Sequence, residues 1–423
     1  MANDKNEPIR VFEYEIVRFD RGEKKITEEQ FKALQLYYGK GVPYFKLCYN
    51  GVQFCEYVGA LQVGKTLIEV LPKADKNPST ESEKQKWHEI LIGMVKAVNT
   101  LDLKSTGNSN LKIKANTILD LYFELFIKEV EYLLHNGLIK KYRKIEENQV
   151  ALKGRLQFSK HIQQNLTHKE RFYVSHSTYD IDHLLHFILH KTIRLIKQIN
   201  TSPNLQSRIS SLLLNFPEMP DLKVSEATFD KIVFNRKTQH YQDAIEIAKL
   251  LLLQYHPDVS KGQNNVLALM FDMNVLWEKF IYVSLRKGLG NKFTITSQTS
   301  KYFWKSTNNF QTKMRPDIVI NAETENCVVL DTKWKNLGGK NPSPEDLRQM
   351  YVYHEYFGAK KVALVYPNHL PNIIDGTFHP LNSSTDFTKS CGIIEVATEK
   401  DIKVWQRNIC DSLLEWTNLD KPS

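Results

Sequence analysis

Cysteine is scarce in this 423-residue chain, and its five copies, Cys48, Cys55, Cys327, Cys391 and Cys410, form no C-x-x-C pair. An odd, scattered set excludes a disulfide framework and the cysteine-rich zinc modules, and it fits a reducing cytoplasm. Long apolar runs are missing as well. None approaches the roughly 18 to 20 residues that span a bilayer, and the opening MANDKNEPIR lacks the apolar core of a signal peptide, so no membrane partner is expected. No internal repeat or low-complexity tract is visible, which argues against a solenoid or a disordered tail. Charge of one sign is not gathered into blocks either: 57 Lys and Arg are interspersed with 48 Asp and Glu. The net charge of +9 permits a polyanionic partner through counterion release without requiring one.

What is present is ordinary globular composition, 42% hydrophobic and 11% aromatic, at a length that suggests two or three domains. Residues 1–110 read as a β-rich N-terminal domain: VFEYEIVRF alternates, Asn50-Gly51 marks a hairpin, strands flank Gly64, and the helix WHEILIGMVKAVNTL follows. Residues 111–260 read as a helical middle domain. Its first helix, in ANTILDLYFELFIKEVEYLLHNGLI, has Asn116 or Thr117 as N-cap and Gly137 as stop; a brief β interruption, NQVALKGRLQF, precedes three more helices. After the loop HPDVSKGQNN, residues 261–423 alternate helix and strand, with clear strands in RPDIVI, CVVLDTKW and KKVALVYP and a helix beginning after Ser343. The expected fold class is α+β, multidomain.

GALQVGKT, Gly59 to Thr66, spells the letters of a phosphate-binding P-loop. Such a loop needs a buried strand before it and a helix after it, so that helix N–H groups meet the phosphates. Here TLIEVLPK offers a short β-branched run stopped by Pro72, so Gly64-Lys65 reads as a hairpin turn. His183, His186 and His190 share one helix face near Asp180 and Asp182, but without the H-E-x-x-H arrangement they read as packing histidines rather than a zinc site. Arg155, in LKGRL, reads as a solvated strand end.

MRPDIVINAETENCVVLDTKWK carries the chemistry. Folding its two apolar strands about NAETEN puts Asp317 opposite or diagonal to Asp331, at about 5 to 8 Å. The two-residue period points Asp331 and Lys333 to one face and Thr332 to the other. Two converging carboxylates repel unless a divalent cation sits between them, and magnesium prefers oxygen ligands. Lys333 is then placed to orient an attacking water and to balance charge on a phosphoryl transition state.

Pro316-Asp317 followed by Asp331-Thr332-Lys333 resembles the PD-(D/E)xK nuclease motif. Glu278 in WEKF resembles the acidic residue that these nucleases place near the metal, and Gln349 with Tyr353 resembles the Q-x-x-x-Y element of the RecB-like branch. The resemblance extends to the McrC family, the nuclease subunits of McrBC-type, 5-methylcytosine-specific restriction systems, through FDMNVLWEKFI, DLRQMYVYHEY, YVGALQVGKTLIEVLPK and LKGRL. It implies a PD-(D/E)xK core within 261–423, with Asp317, Asp331, Lys333, Glu278, Gln349 and Tyr353 catalytic. Asp317, Asp331 and Glu278 would hold Mg2+, which Mn2+ can replace. It further implies a McrB-like AAA+ motor docked on residues 1–110, GTP or ATP bound only by that motor, and double-stranded, modified DNA as substrate. The competing expectation is a non-catalytic activator of the motor that keeps the nuclease core as scaffold.

Overall fold

The P-loop letters fold as two antiparallel strands, Tyr57–Val63 and Thr66–Leu71, with Val63 opposite Thr66 across the Gly64-Lys65 turn, so the turn leads into a strand where a P-loop would lead into a helix. Gly59 is fixed for a structural reason. Its φ is 138°, and a Cβ there would overlap the carbonyl oxygen of Leu269 on the neighbouring strand Val266–Asp272. Gly59→Ala is therefore expected to cost at least about 1–3 kcal/mol, whereas Lys65→Ala, at an exposed turn, should stay within about 0.5 kcal/mol and leave nucleotide affinity of the isolated chain absent. Urea unfolding with a nucleotide-binding assay checks both, and the reverse order of effects would revive the P-loop reading.

The computed structural model describes residues 8–22, 25–73, 80–102, 117–256, 265–379 and 389–418, with only the backbone of 99–102. Of the features read from sequence, Asn116 and most of the loop 256–265 lie outside these. Two compact units emerge, one of residues 1–111 with 257–423 and one of residues 112–256. Among the described residues no helix is long and apolar enough to cross a membrane.

In the first unit, Ile9–Phe12 runs parallel to Thr66–Leu71, which pairs antiparallel with Tyr57–Val63, which pairs antiparallel with Val266–Asp272. This last strand, VLALMFD, was not expected; it begins the 261–423 segment yet completes the sheet of the N-terminal one. VFEYEIVRF is not one strand: it breaks at Tyr14, whose φ is 66°, and Ile16–Arg18 joins a separate small sheet with Gly51–Phe54 and Phe45–Cys48. The hairpin turn there is Tyr49-Asn50, and Gly51 is already strand, a glycine because a Cβ would overlap the Val17 carbonyl oxygen. Residues 10–73 also contain a helix, Glu28–Tyr38, opened by a Thr27/Gln30 capping box.

Glu13, beside this sheet, is 3% exposed and accepts from the Lys73 backbone N–H at 2.9 Å. Burial pushes its carboxyl up from 4.5 to about 7. The folded state therefore holds a proton that the unfolded chain has released, and stability falls as pH rises from 4.5 to about 7, by roughly 3 kcal/mol at about 1.4 kcal/mol per unit. Glu13→Gln should gain that difference over wild type across this window in urea unfolding; a pH-independent difference would contradict the burial argument.

The second sheet of the first unit has six strands in the order Ile295–Ser297, Ile318–Ile320, Val328–Thr332, Lys361–Asn368, Ser390–Ala397, Asn372–Thr377. Val328–Thr332, Lys361–Asn368 and Ser390–Ala397 are parallel, and helix Pro344–Phe357 links the first two. Alternate residues Val329, Val362 and Leu364 pack with Met350, Tyr353 and Phe357 of that helix in one core. Helices Met273–Leu289, Glu81–Asp102 and Ile402–Thr417 pack on one another, with Trp277, Phe280 and Trp405 fully buried among them.

The second unit is less purely helical than expected. Helices Ile118–Asn136, Leu184–Ile199, Pro203–Asn215 and Gln242–Leu253 pack together, with Thr117 capping the first and Gly137 ending it. Beside them Lys141–Gln149 pairs along its whole length with Phe172–Asp180, which also pairs with Arg155–Leu156. KYRKIEENQ is mostly exposed and lacks alternation, so nothing in its pattern announced a nine-residue strand.

Candidate active site

The strand Val328–Thr332 is buried along its length because it lies in the interior of the sheet, and apolar residues fill it until Asp331. Asp331 is 2% exposed at the carboxyl end of a parallel strand, the end where open α/β sheets receive ligands. Ile318 pairs with Leu330 across the hairpin, which brings Asp317, one residue before its strand, level with Asp331. Asn321 and Glu323, both at positive φ, make the turn.

Lys333 Nζ lies 2.7 Å from Asp331 Oδ2. The Gln349 side-chain amide donates to Asp331 Oδ1 at 3.3 Å and to the Tyr353 hydroxyl at 2.7 Å, so helix Pro344–Phe357 covers the carboxylate with both residues. Thr332, expected to turn away, instead serves Asp317: its backbone N–H and its hydroxyl donate to Asp317 Oδ2 at 2.7 and 2.8 Å. Asp317 precedes its strand, and its carboxylate reaches back over the end of the neighbouring one. The structure thus brings Asp317, Asp331, Lys333, Gln349 and Tyr353 together.

Glu278, on helix Met273–Leu289, stands at the edge. Its carboxylate accepts from the Gln298 side-chain amide, and Gln298 N–H donates to the Asp317 carbonyl at 2.9 Å. Among the described residues no three His, Cys, Asp or Glu side chains are gathered as a metal cage, so Glu278 does not join the two aspartates as a third ligand in this arrangement. Sequence reasoning missed Thr332, Gln298 and Asp346. Asp346 is held by Lys335 at 2.7 Å and by the Ser343 cap, and its charge reaches Asp331. An acid in the first turn of a helix is ordinary in sequence, and nothing in the pattern singles this one out.

The electrostatics are those of carboxylates crowded out of water. Burial, then the charge of Asp317, pushes Asp331 up from 3.8 to about 6 against the pull of Lys333. Burial lowers Lys333, but Asp331, Asp317 and Asp346 outweigh it and leave it above its ordinary value. Burial raises Glu278, with Gln298 opposing and Asp317 adding, and burial pushes Tyr353 up to about 12. Two adjacent aspartates, one of them pushed up to about 6 by burial and then by its neighbour's charge, fit an oxygen-seeking divalent ion of the magnesium type, which needs only one or two carboxylates because it keeps waters. The histidine face does not fit zinc. His186 bonds the Ile181 carbonyl at 2.6 Å and Tyr241 at 3.0 Å, and Arg143 takes both Asp180 and Asp182 at 3.0 Å.

A family model described as McrBC 5-methylcytosine restriction system component matches residues 52–367, well over half of the chain. The chain belongs to that family. All six candidate residues lie inside the matched span. The type IV methyl-directed restriction enzyme EcoKMcrBC of Escherichia coli (strain K12) is 24% identical over 271 residues, 59% of this McrBC-family chain and 74% of that protein. A solved chain from the half-complex of the tetradecameric assembly of Thermococcus gammatolerans McrB AAA+ hexamers with bound McrC shares the fold at a TM-score of 0.68 and 19% identity, over 97% of this chain and 100% of its own.

Proposed function

We propose that this chain is the magnesium-dependent DNA endonuclease component of a McrBC-like restriction system, built on a PD-(D/E)xK core and working with a McrB-like AAA+ motor. The observation that carries the reading is the Asp317/Asp331 pair with Lys333 at 2.7 Å from Asp331. Asp317 and Asp331 would hold the ion, which when bound supplies Lewis acidity for phosphodiester hydrolysis. Lys333 contributes fixed positive charge where a phosphate gains negative charge, and its ammonium orients the attacking water. Thr332 and Gln349 hold the two carboxylates in place by hydrogen bonds to Asp317 and Asp331, and Tyr353 fixes Gln349. Glu278 acts through Gln298 as a positioning residue.

Family membership and the McrB-bound relative support an AAA+ partner; in this reading it docks on the N-terminal segment and binds GTP or ATP itself. The methyl-directed Escherichia coli relative supports modified double-stranded DNA as substrate. The test is cleavage of a 5-methylcytosine-containing plasmid by the chain with the AAA+ protein, nucleotide and Mg2+, omitting each in turn. Cleavage that needs all of them is expected. Stimulated nucleotide hydrolysis without cleavage of methylated or unmethylated plasmid would make the chain a non-catalytic activator of the motor.

A further inference from the structure

Between Gln298 and Asp317 the chain leaves the site as a two-stranded antiparallel hairpin, Lys301–Lys305 against Gln311–Met314, that forms a sheet of its own. Both roots are tied to the site. Gln298 bonds Glu278 by its side chain and Asp317 by its backbone, while the second strand runs through Arg315-Pro316 directly into Asp317. The charge of Arg315 reaches Glu278 and Tyr353. The base of the hairpin is anchored on helix Pro344–Phe357, with Phe303 and Tyr356 ring centroids 5.2 Å apart and Lys301 over the Phe357 ring at 5.0 Å.

Beyond that base the hairpin's aromatic rings stand largely exposed among the described residues. Tyr302, Trp304 and Phe310 are 62%, 57% and 76% exposed, and Lys313 lies over Tyr302 at 4.8 Å. Residues 300–315 include Lys301, Lys305, Lys313 and Arg315 and not one Asp or Glu, in a chain that has 48 of them. Exposed rings interleaved with cations and free of acids suit a polyanion whose bases and sugars offer flat faces, since lysines neutralise phosphates and rings stack or wedge. A protein surface carries charge of both signs and would leave several of these cations unmatched.

We infer that this hairpin is a DNA-gripping arm of the cleavage site, which holds duplex DNA beside the phosphodiester presented to Asp317 and Asp331, with its lysines on the phosphate backbone and Trp304 and Phe310 against the groove. The inference rests on the nuclease reading for its geometry, but its test does not depend on cleavage. Binding of a fluorescein-labelled duplex by the full-length chain is followed by anisotropy across a salt series, in an Asp331→Ala background so that nothing is cut. Lys305→Glu with Lys313→Glu should weaken binding at least about tenfold and flatten the log–log salt dependence by about 2. Trp304→Ala with Phe310→Ala should weaken binding about tenfold with the salt slope unchanged. Unfolding midpoints report whether each variant is folded. No duplex binding by the parent chain, or unchanged affinity and slope in folded variants, overturns the arm. Unchanged duplex binding with loss of partner stimulation makes the hairpin a protein-docking surface and overturns it too. Weakened binding in the variants, with no cleavage of any DNA by the Asp331 chain and its partner, keeps the arm and removes the nuclease reading. Cleavage by that complex, with normal binding in the variants, does the opposite.

Discussion

Asp331→Ala is expected to lower DNA cleavage by the assembled complex on the order of a thousandfold or more, while the chain stays folded and still stimulates its partner's nucleotide hydrolysis. Asp331 is one of the two carboxylates proposed to hold the ion, and it is 2% exposed. The same substitution removes a carboxylate that burial pushes up to about 6, which relieves an unfavourable charge, and it leaves the Lys333 ammonium, 2.7 Å away with 27% of its side chain exposed, to find its partner in solvent. Activity and stability should therefore separate: cleavage falls by that factor, while the relieved burial and the lost Lys333 and Gln349 contacts offset one another and leave the unfolding free energy above pH 6 little changed. Cleavage rates, partner hydrolysis and urea unfolding on one preparation decide it. Undiminished cleavage would put the chemistry elsewhere in the chain.

Lys333→Met should behave differently. Cleavage is expected to fall by about 100- to 1000-fold, the usual cost of losing one donor aimed at developing charge. Stability should now fall as well, because Asp331 is left buried without the ammonium 2.7 Å away. The Lys333 side chain keeps 27% exposure, so the loss should be on the order of 1–3 kcal/mol, below that of a fully buried pair. It should grow as pH rises, since Asp331 must then carry its charge unaided. Adding Asp331→Asn to Lys333→Met should restore most of that stability and none of the cleavage. Equal stability loss in the single and double variants would show that the lysine stem, and not its charge, is what the fold uses.

The centre of the site was legible because it is local. Two apolar strands around a polar turn fix which residues face each other, and period two fixes which side chains share a face, so Asp317, Asp331 and Lys333 follow from a single hairpin. The same rule misplaced Thr332, because it describes side-chain direction within a strand and Asp317 sits just outside one. Gln349 and Tyr353 lie four apart on a helix, and only the family pattern tied them to Asp331. The strand Val266–Asp272 was missed because its partner, Tyr57–Val63, is some two hundred residues away and a short apolar run has no periodicity of its own. The helix Glu28–Tyr38 is a different failure: Thr27 to Gln30, TEEQ, spells a capping box that was there to be read.

The most direct measurement is the Mg2+ dependence of plasmid cleavage by the motor-bound chain, wild type against Asp317→Asn. If Asp317 and Asp331 hold the ion, the half-saturating Mg2+ concentration should rise at least about tenfold in Asp317→Asn, with most of the lost rate recovered at high Mg2+. An unchanged Mg2+ dependence would contradict a metal site at this pair, whatever happened to the rate.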